Sequence, residues 1–411
     1  MLIELFPRAH ARFTSLPLLG PHLEGFAAWL QTQGYHPHPI RLRIRASRRL
    51  ALRMQRRGVQ HLGAITAAEF RAFAPKDSQE DIELAATVHS WVRYLETQRV
   101  WTTPPSTPDE TLLAEYGAFL ASVRGFAMTT VGLHVATVTA WLTHLGRAQV
   151  PACLHTLTGR AVEDFLVAEG ARLSRATLQH TVAHLRAFLR FLAARGFAVG
   201  DLATQIDTPR VYRDERLPRA LPWETVGALL RSIDRATPMG RRDYAMLLLV
   251  ATYGLRTSEV VALTLDDVAW RDARLRVPRP KVRAPLELPL TPEVGAALIA
   301  YVRDGRPPLP TRRLFLRVRA PAGVLRPTAV TEAFQGCVRR SELAIPFQGP
   351  HCLRHSLAVH LLRSGTTLKV IGDLLGHRSA ESTCVYLRLQ IDDLRDVALA
   401  LPSATHSEVG P

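Results

Sequence analysis

Through most of this chain, apolar residues recur at steps of three and four, which places them on one face of an α-helix. Phe26, Trp29 and Leu30 begin one such series, and Trp91, Tyr94 and Leu95 belong to another. Further along, Tyr116, Phe119 and Leu120 and then Phe188, Phe191 and Leu192 carry the same spacing. Proline-bearing stretches at Thr102 to Pro108 and Pro209 to Pro222 interrupt the pattern and read as linkers. The division this suggests is a helical block at 1–103, a second at 108–208, a linker at 209–220, a third block at 221–401 and a tail at 402–411. Only in the third block does the period change. Leu275 to Val277 and Leu286 to Leu290 alternate or cluster apolar residues around a turn rich in Pro, Arg and Lys, as in a β-hairpin, with Lys281 in the turn. The expected fold is therefore mainly α with a small β-sheet in the third block, an α+β arrangement preceded by helical blocks.

The first two blocks share landmarks in the same order. Phe26, Trp29 and Leu30 answer Tyr116, Phe119 and Leu120, and Gly34-Tyr35 answers Gly125-Phe126. Leu62, Ile65, Thr66 and Phe73 answer Leu154, Leu157, Thr158 and Phe165 at an offset of 92, and Trp91, Tyr94 and Leu95 answer Phe188, Phe191 and Leu192 at an offset of 97. The pattern reads as a diverged duplication with insertions in loops. The alternative, that any two amphipathic bundles align this well, stays open at the level of one sequence.

Charge adds a partner. Among 411 residues, 52 Lys and Arg face 36 Asp and Glu, a net charge of +16 that is spread along the chain. Such an excess points to a polyanion, most simply nucleic acid. It is densest between Arg41 and Arg57, where Arg41, Arg43, Arg45, Arg48, Arg49, Arg53, Arg56 and Arg57 occur with no acid among them. The matching stretch of the second block, Met128 to Arg147, has Arg147 alone. The first six of these arginines are the expected DNA-binding residues, because unbroken like charge repels itself and favours phosphate contact.

No opening apolar segment suggests a signal, and the densest apolar run, Met246 to Tyr253, is too short to cross a bilayer, so a cytoplasmic protein without a membrane partner is expected. Cys153, Cys337, Cys352 and Cys384 are scattered, which fits a reduced compartment. Cys337, His351, Cys352 and His355 lack the paired knuckles of a zinc site, and no metal or cofactor is expected.

Attack on a DNA phosphodiester without metal needs a nucleophile, cations for the phosphorane oxygens and an acid for the leaving 5′ oxygen. The third block holds one candidate for each. Arg256 lies in ATYGLRTSEVVAL, between two helical patterns, where its planar fork can address two phosphate oxygens; Glu259, three residues on, orients it or caps a helix. HCLRHSLAVHLL places His351 and Arg354 on one face at a helix start, with His355 and His360 as packing or capping residues. LLGHRSAESTCVYLRL then brings His377 and, nine residues later, Tyr386.

These segments resemble, in order, the catalytic domain of the tyrosine recombinase and phage integrase family: ATYGLRTSEVVAL, HCLRHSLAVHLLRSGTTLKVIGDLLGH and ESTCVY. The likeness covers about 215–395, and more weakly about 110–205, which is similar to the family's helical core-binding domain. It implies that Arg256 and Arg354 clamp the phosphate, that Tyr386 is the nucleophile, and that His351 and His377 bond the scissile phosphate, His351 also accepting the tyrosine proton. It also implies a general-acid lysine on the hairpin turn, which is Lys281, with Arg279 and Arg283 contacting phosphate. Composition supports that position independently: Lys76, Lys281 and Lys369 are the chain's three lysines beside 49 arginines, and lysine can surrender a proton where arginine cannot. The hairpin departs from the family pattern at Ala284 and Pro285, where relatives often carry further basic residues.

The resemblance further implies double-stranded DNA as substrate, a 3′-phosphotyrosyl intermediate, a homotetrameric synapse, and a C-terminal segment from Leu387 to Leu401 that packs either in its own domain or into a neighbouring protomer. A mobile-element integrase or transposase is expected, with a second recombinase as a compatible partner. A type IB topoisomerase-like strand transferase and a non-catalytic DNA-binding accessory protein are the alternatives.

Overall fold

In the computed structural model, which describes residues 1–75, 81–101, 107–146, 154–197, 201–211, 218–279, 285–377 and 379–389, the predicted apolar series become helices. The first block contains α1 (Leu23–Thr32), α2 (Pro37–Arg56), α3 (Ala67–Arg71) and α4 (Ile82–Thr97), preceded by short helical turns. Proline at its start suits α2, because the first turn needs no backbone donor there. Thr66 and Glu69 form a reciprocal cap on α3, and the Asp81 carboxylate accepts from the Leu84 amide at the start of α4. Ile40, Ile44, Leu50 and Met54 point α2 into a core with Phe26 and Trp91, whose rings stack at 3.9 Å. The Trp91 indole donates to Ser47 Oγ at 2.7 Å, which satisfies a polar group inside that core.

The second block, α5 (Pro108–Ser122), α6 (Met128–His144), α7 (Gly159–Gly170) and α8 (Arg175–Ala194), closes around Tyr116, Trp141, Phe188 and Leu192. By contact density the chain forms two units, one of Met1–Trp101 with Leu217–Pro411 and one of Thr102–Arg216. Within the former, the first and third blocks keep separate cores, and the Ala322 amide donates to the Gln33 carbonyl at 2.8 Å.

The third block is built on α10 (Pro238–Tyr253), buried on every side from Tyr244 to Ala251. Around it pack α9 (Trp223–Arg231), α12 (Pro292–Asp304), α13 (Thr328–Ser341) and α14 (His351–Arg363). The apolar run noted in the sequence is thus the central helix of a core, and among the described residues no helix is long and apolar enough to cross a membrane. A short α11 (Thr257–Ala262) follows α10. The sheet is antiparallel, in the order β1 (Val268–Ala269), β2 (Arg274–Val277), β3 (Leu286–Pro289), with Val277 opposite Leu286. The expected hairpin and α+β class are therefore present. Its connecting turn, with Lys281 and Arg283, lies outside the described residues, as does the chain beyond Leu389 with most of the C-terminal apolar series. Last come α15 (Leu368–Leu375), α16 (Glu381–Cys384) and a 3₁₀ turn, Val385–Leu389, that carries Tyr386.

Candidate active site

An α-helix ends with carbonyls that have no partner of their own, and its C-terminus carries partial negative charge. At the end of α15 these carbonyls are taken by arginines from three distant segments. Arg279 donates to the carbonyls of Asp373 at 3.4 Å and Leu374 at 2.6 Å, Arg354 donates to that of Leu375, and Arg256 to that of Gly376 at 3.1 Å. Four consecutive carbonyls are thus capped by three guanidiniums. Gly376 allows this approach: it is left-handed, at φ 62°, and a Cβ there would stand 2.6 Å from Arg279 Nη1.

Arg354 is only 2% exposed, and its other terminal nitrogen donates to the carbonyl of Gly254, the residue that ends α10. Gly254 is also left-handed, and a Cβ would lie 2.5 Å from Leu375 Cδ2, so α10, α14 and α15 meet where no side chain fits. Burial, assisted by the nearby Arg256, lowers the Arg354 pKa to about 10, which leaves it a cation at neutral pH.

Glu259 organises the arginines. Its carboxylate accepts from the Arg256 backbone amide and from Arg256 Nη1, each at 2.8 Å, and lies 3.7 Å from Arg279 Nε. Both roles considered for Glu259, orienting Arg256 and capping α11, are filled together. Arg279 departs from the expected phosphate contact. It is 7% exposed, with its terminal nitrogens on the carbonyls that end α15 and its Nε facing the Glu259 carboxylate at 3.7 Å, because the partial negative charge of a helix C-terminus attracts a cation.

Tyr386 packs with Ala358, Val359, Ile371 and Leu375, and only 1% of its surface is exposed. Its hydroxyl lies 3.0 Å from His355 Nδ1. The His377 ring stacks toward Tyr386 at 6.2 Å and 19°, and His377 Nδ1 is 2.8 Å from Thr383 Oγ1. His351 reaches solvent beside His355, at a ring separation of 5.3 Å. Burial lowers the pKa of His355 and His377 to about 4, assisted for His355 by His351 and Arg354 and for His377 by Arg354, Arg256 and Arg279. Protein packed around His351 lowers its pKa as well, with Arg354 and Arg256 adding to the effect. Burial raises the Tyr386 pKa, against the pull of Arg354 and Arg256.

The structure therefore brings Arg256, His351, Arg354, His377 and Tyr386 into one region, with Lys281 outside the described residues. His355, read from the sequence as packing or capping, is the histidine bonded to the tyrosine hydroxyl. His360 does pack, its ring stacked on Trp223 at 4.3 Å and 7°. The arrangement can hold a neutral phenol beside neutral imidazoles and concentrate guanidinium charge nearby. With Tyr386 buried and Arg354 engaged by backbone carbonyls, this state has the nucleophile candidate withdrawn from solvent.

Of the arginines singled out on α2, Arg41, Arg45, Arg48, Arg49 and Arg53 are exposed, as is Arg56. Arg43 instead turns toward α4, where Nε donates to Ser90 Oγ at 3.1 Å and the guanidinium lies 4.4 Å over the Tyr35 ring.

Residues 220–392 match the phage integrase family, and residues 113–196 match the phage integrase N-terminal SAM-like domain. An integrase/recombinase of Sinorhizobium fredii, y4rA, is 39% identical over 250 residues, a match that spans 61% of this chain and 61% of that relative. Tyrosine recombinase XerC of Oceanobacillus iheyensis is 32% identical over 54% of this chain and 73% of its own length. Among solved structures, the XerH site-specific recombinase bound to palindromic difH substrate superposes with a TM-score of 0.55 at 16% identity, over 72% of this chain and 97% of that one. With matched segments that contain each end of the arginine-capped helix and the buried tyrosine, the chain belongs to the phage integrase family of tyrosine recombinases.

Proposed function

We propose that this protein is a site-specific DNA recombinase that cuts and rejoins strands through a 3′-phosphotyrosyl link to Tyr386. The observation that carries this reading is the gathering of Arg256, Arg354, His351 and His377 around one buried tyrosine, in a family whose relatives include named recombinases. Arg256 and Arg354 neutralise the phosphorane oxygens, and His351 and His377 donate to them. The phenol proton passes to a neutral histidine, His351 or His355, as the oxygen attacks phosphorus and the 5′ oxygen leaves with a proton from Lys281. The free 5′ hydroxyl then attacks the phosphotyrosine of the partner duplex, so the bond energy is kept and no nucleotide cofactor is consumed.

Double-stranded DNA is the substrate and several protomers assemble on it; among similar structures, XerH is bound to its difH substrate and a lambda integrase dimer to a core site. For this chain we assign a homotetrameric synapse, room for a partner recombinase, a cytoplasmic location and the role of a mobile-element integrase or transposase. The deciding experiment is covalent capture on a nicked suicide duplex that carries the enzyme's site. Wild-type protein should yield a phosphotyrosyl adduct and Tyr386→Phe none, with DNA binding retained; an undiminished adduct in the variant would remove Tyr386 as nucleophile.

A further inference from the structure

The two helical blocks share ring contacts at matched positions of their interiors. Phe26 on α1 meets Trp91 and Tyr94 on α4 at 3.9 and 5.5 Å, and Tyr116 on α5 meets Phe188 and Phe191 on α8 at 5.0 and 5.2 Å. Trp29 meets Tyr94 at 5.9 Å, and Phe119 meets Phe191 at 5.3 Å. The turns are alike, with one more residue in the second block. Gly34 and Gly125 are both left-handed, at φ 80° and 65°, and the next residue's amide returns to a matched leucine: Tyr35 to the Leu30 carbonyl at 3.1 Å, Phe126 to that of Leu120 at 3.0 Å. Thr66 and Thr158 stand at the start of the third helix in each block, and Leu62 and Leu154 are buried just before. Unrelated amphipathic bundles would share helix number and periodicity, but not the same ring pairs between the same two helices.

The surfaces differ where the interiors agree. On α2, Arg41, Arg45, Arg48, Arg49, Arg53 and Arg56 are all exposed, at steps of one, three and four, opposite the buried Ile40, Ile44, Leu50 and Met54. Some are tethered: Arg41 donates to the Leu5 carbonyl at 3.3 Å, and Arg49 pairs with Asp81 at 2.6 Å. For Arg48, Arg53 and Arg56 no ion pair occurs among the described residues. Arg53, Arg56 and Arg57 border an open cleft beside Phe73, with the Arg57 guanidinium 5.1 Å over that ring. The counterpart helix, α6, carries neither Lys nor Arg from Met128 to His144. The stripe is therefore no requirement of the shared interior.

We propose that the first block is a second copy of the four-helix module and that the arginine face of α2 grips duplex DNA at a segment separate from the cleaved phosphate. The choice of DNA rests on the recombinase reading of the third block. Six guanidiniums along a helix rising about 1.5 Å per residue span roughly 22 Å, enough to reach the strands on both sides of a major groove about 12 Å wide. With Asp81 as its only acidic ion-pair partner among the described residues, the stripe presents a positive potential that duplex phosphate complements.

The test uses full-length protein carrying Tyr386→Phe, so that binding is read without covalent chemistry, with and without Arg45→Gln, Arg48→Gln, Arg53→Gln and Arg56→Gln together. Affinity for a mixed-sequence 60-bp duplex is measured by anisotropy from 50 to 300 mM salt, with circular dichroism to check folding. Each lost phosphate contact lowers the slope of log affinity against log salt by about 0.9, so the four changes should lower it by up to about 3.6. An unchanged slope in folded protein overturns the proposal. Loss of binding to anionic phosphatidylserine vesicles with an unchanged DNA slope would also overturn it, assigning the stripe to a membrane surface. Failure of wild-type covalent capture would count against the recombinase reading alone, because the slope is read in protein that forms no covalent link.

Discussion

The Tyr386 hydroxyl lies 3.0 Å from Nδ1 of His355, thirty-one residues earlier, with the tyrosine buried and the histidine half-buried. A buried phenol that loses its partner keeps the desolvation cost, about 1–3 kcal/mol, whereas removing both partners is less harmful than the two separate losses. A double-mutant cycle of His355→Phe and Tyr386→Phe in urea unfolding should therefore show a coupling of about 1 kcal/mol. Strictly additive losses would mean that the contact contributes nothing.

Glu259 is 5% exposed and holds Arg256 and Arg279 together beneath the end of α15. Removing one partner of a buried ionic group leaves the others uncompensated, at a cost of about 3–5 kcal/mol when fully buried and less here, because Arg256 is partly exposed. Glu259→Gln should destabilise the third block and slow adduct formation at saturating DNA. Full stability with full cleavage rate would show that the arginines hold their geometry without it.

The histidines set a pH window. His355 and His377 have folded pKa values of about 4, below the 6.5 of an exposed imidazole, so between those values unfolding takes up protons. Their contribution to stability is complete above about pH 6.5 and is lost as pH falls toward 4, each histidine adding up to about 1.4 kcal/mol per pH unit within the window. His377→Asn should flatten the pH dependence of the urea midpoint there by about one proton. An unchanged slope would mean that the His377 pKa is not lowered in the folded protein.

Lys281 is tested through its leaving group. Lys281→Ala should slow cleavage of ordinary DNA by about 10²–10⁴-fold, the usual range for a general acid, and cleavage at a 5′-thiolate junction far less, since a thiolate needs little protonation. Equal defects on both substrates would take the acid role away from Lys281.

How much of this was legible beforehand depended on the range over which each feature is encoded. Periodicities of three, four and two act within a few residues, and so the helices, the β2–β3 hairpin and the α+β class could be read directly from the chain. Glu259 was legible for the same reason, since its carboxylate reaches Arg256 within one helical turn. The order of Arg256, His351, Arg354, His377 and Tyr386 carried the family likeness, because chemistry on phosphate limits which residue types can serve.

Tertiary structure decided what lies between distant segments. Arg279 reaches carbonyls 94 and 95 residues away, and nothing near it in the chain announces that the C-terminus of a later helix will take its guanidinium in place of a phosphate. His355 shares a helix with Arg354, but only the packing of the Tyr386 turn against α14 makes it the partner of the hydroxyl. Arg43 looked like its neighbours by composition, and the rotation of α2 against α4 turned it inward. Residue type and spacing by themselves determined the chemistry available to this chain; which groups are free to perform it was decided by long-range packing, because burial and the capping of helix ends are settled only when the helices meet.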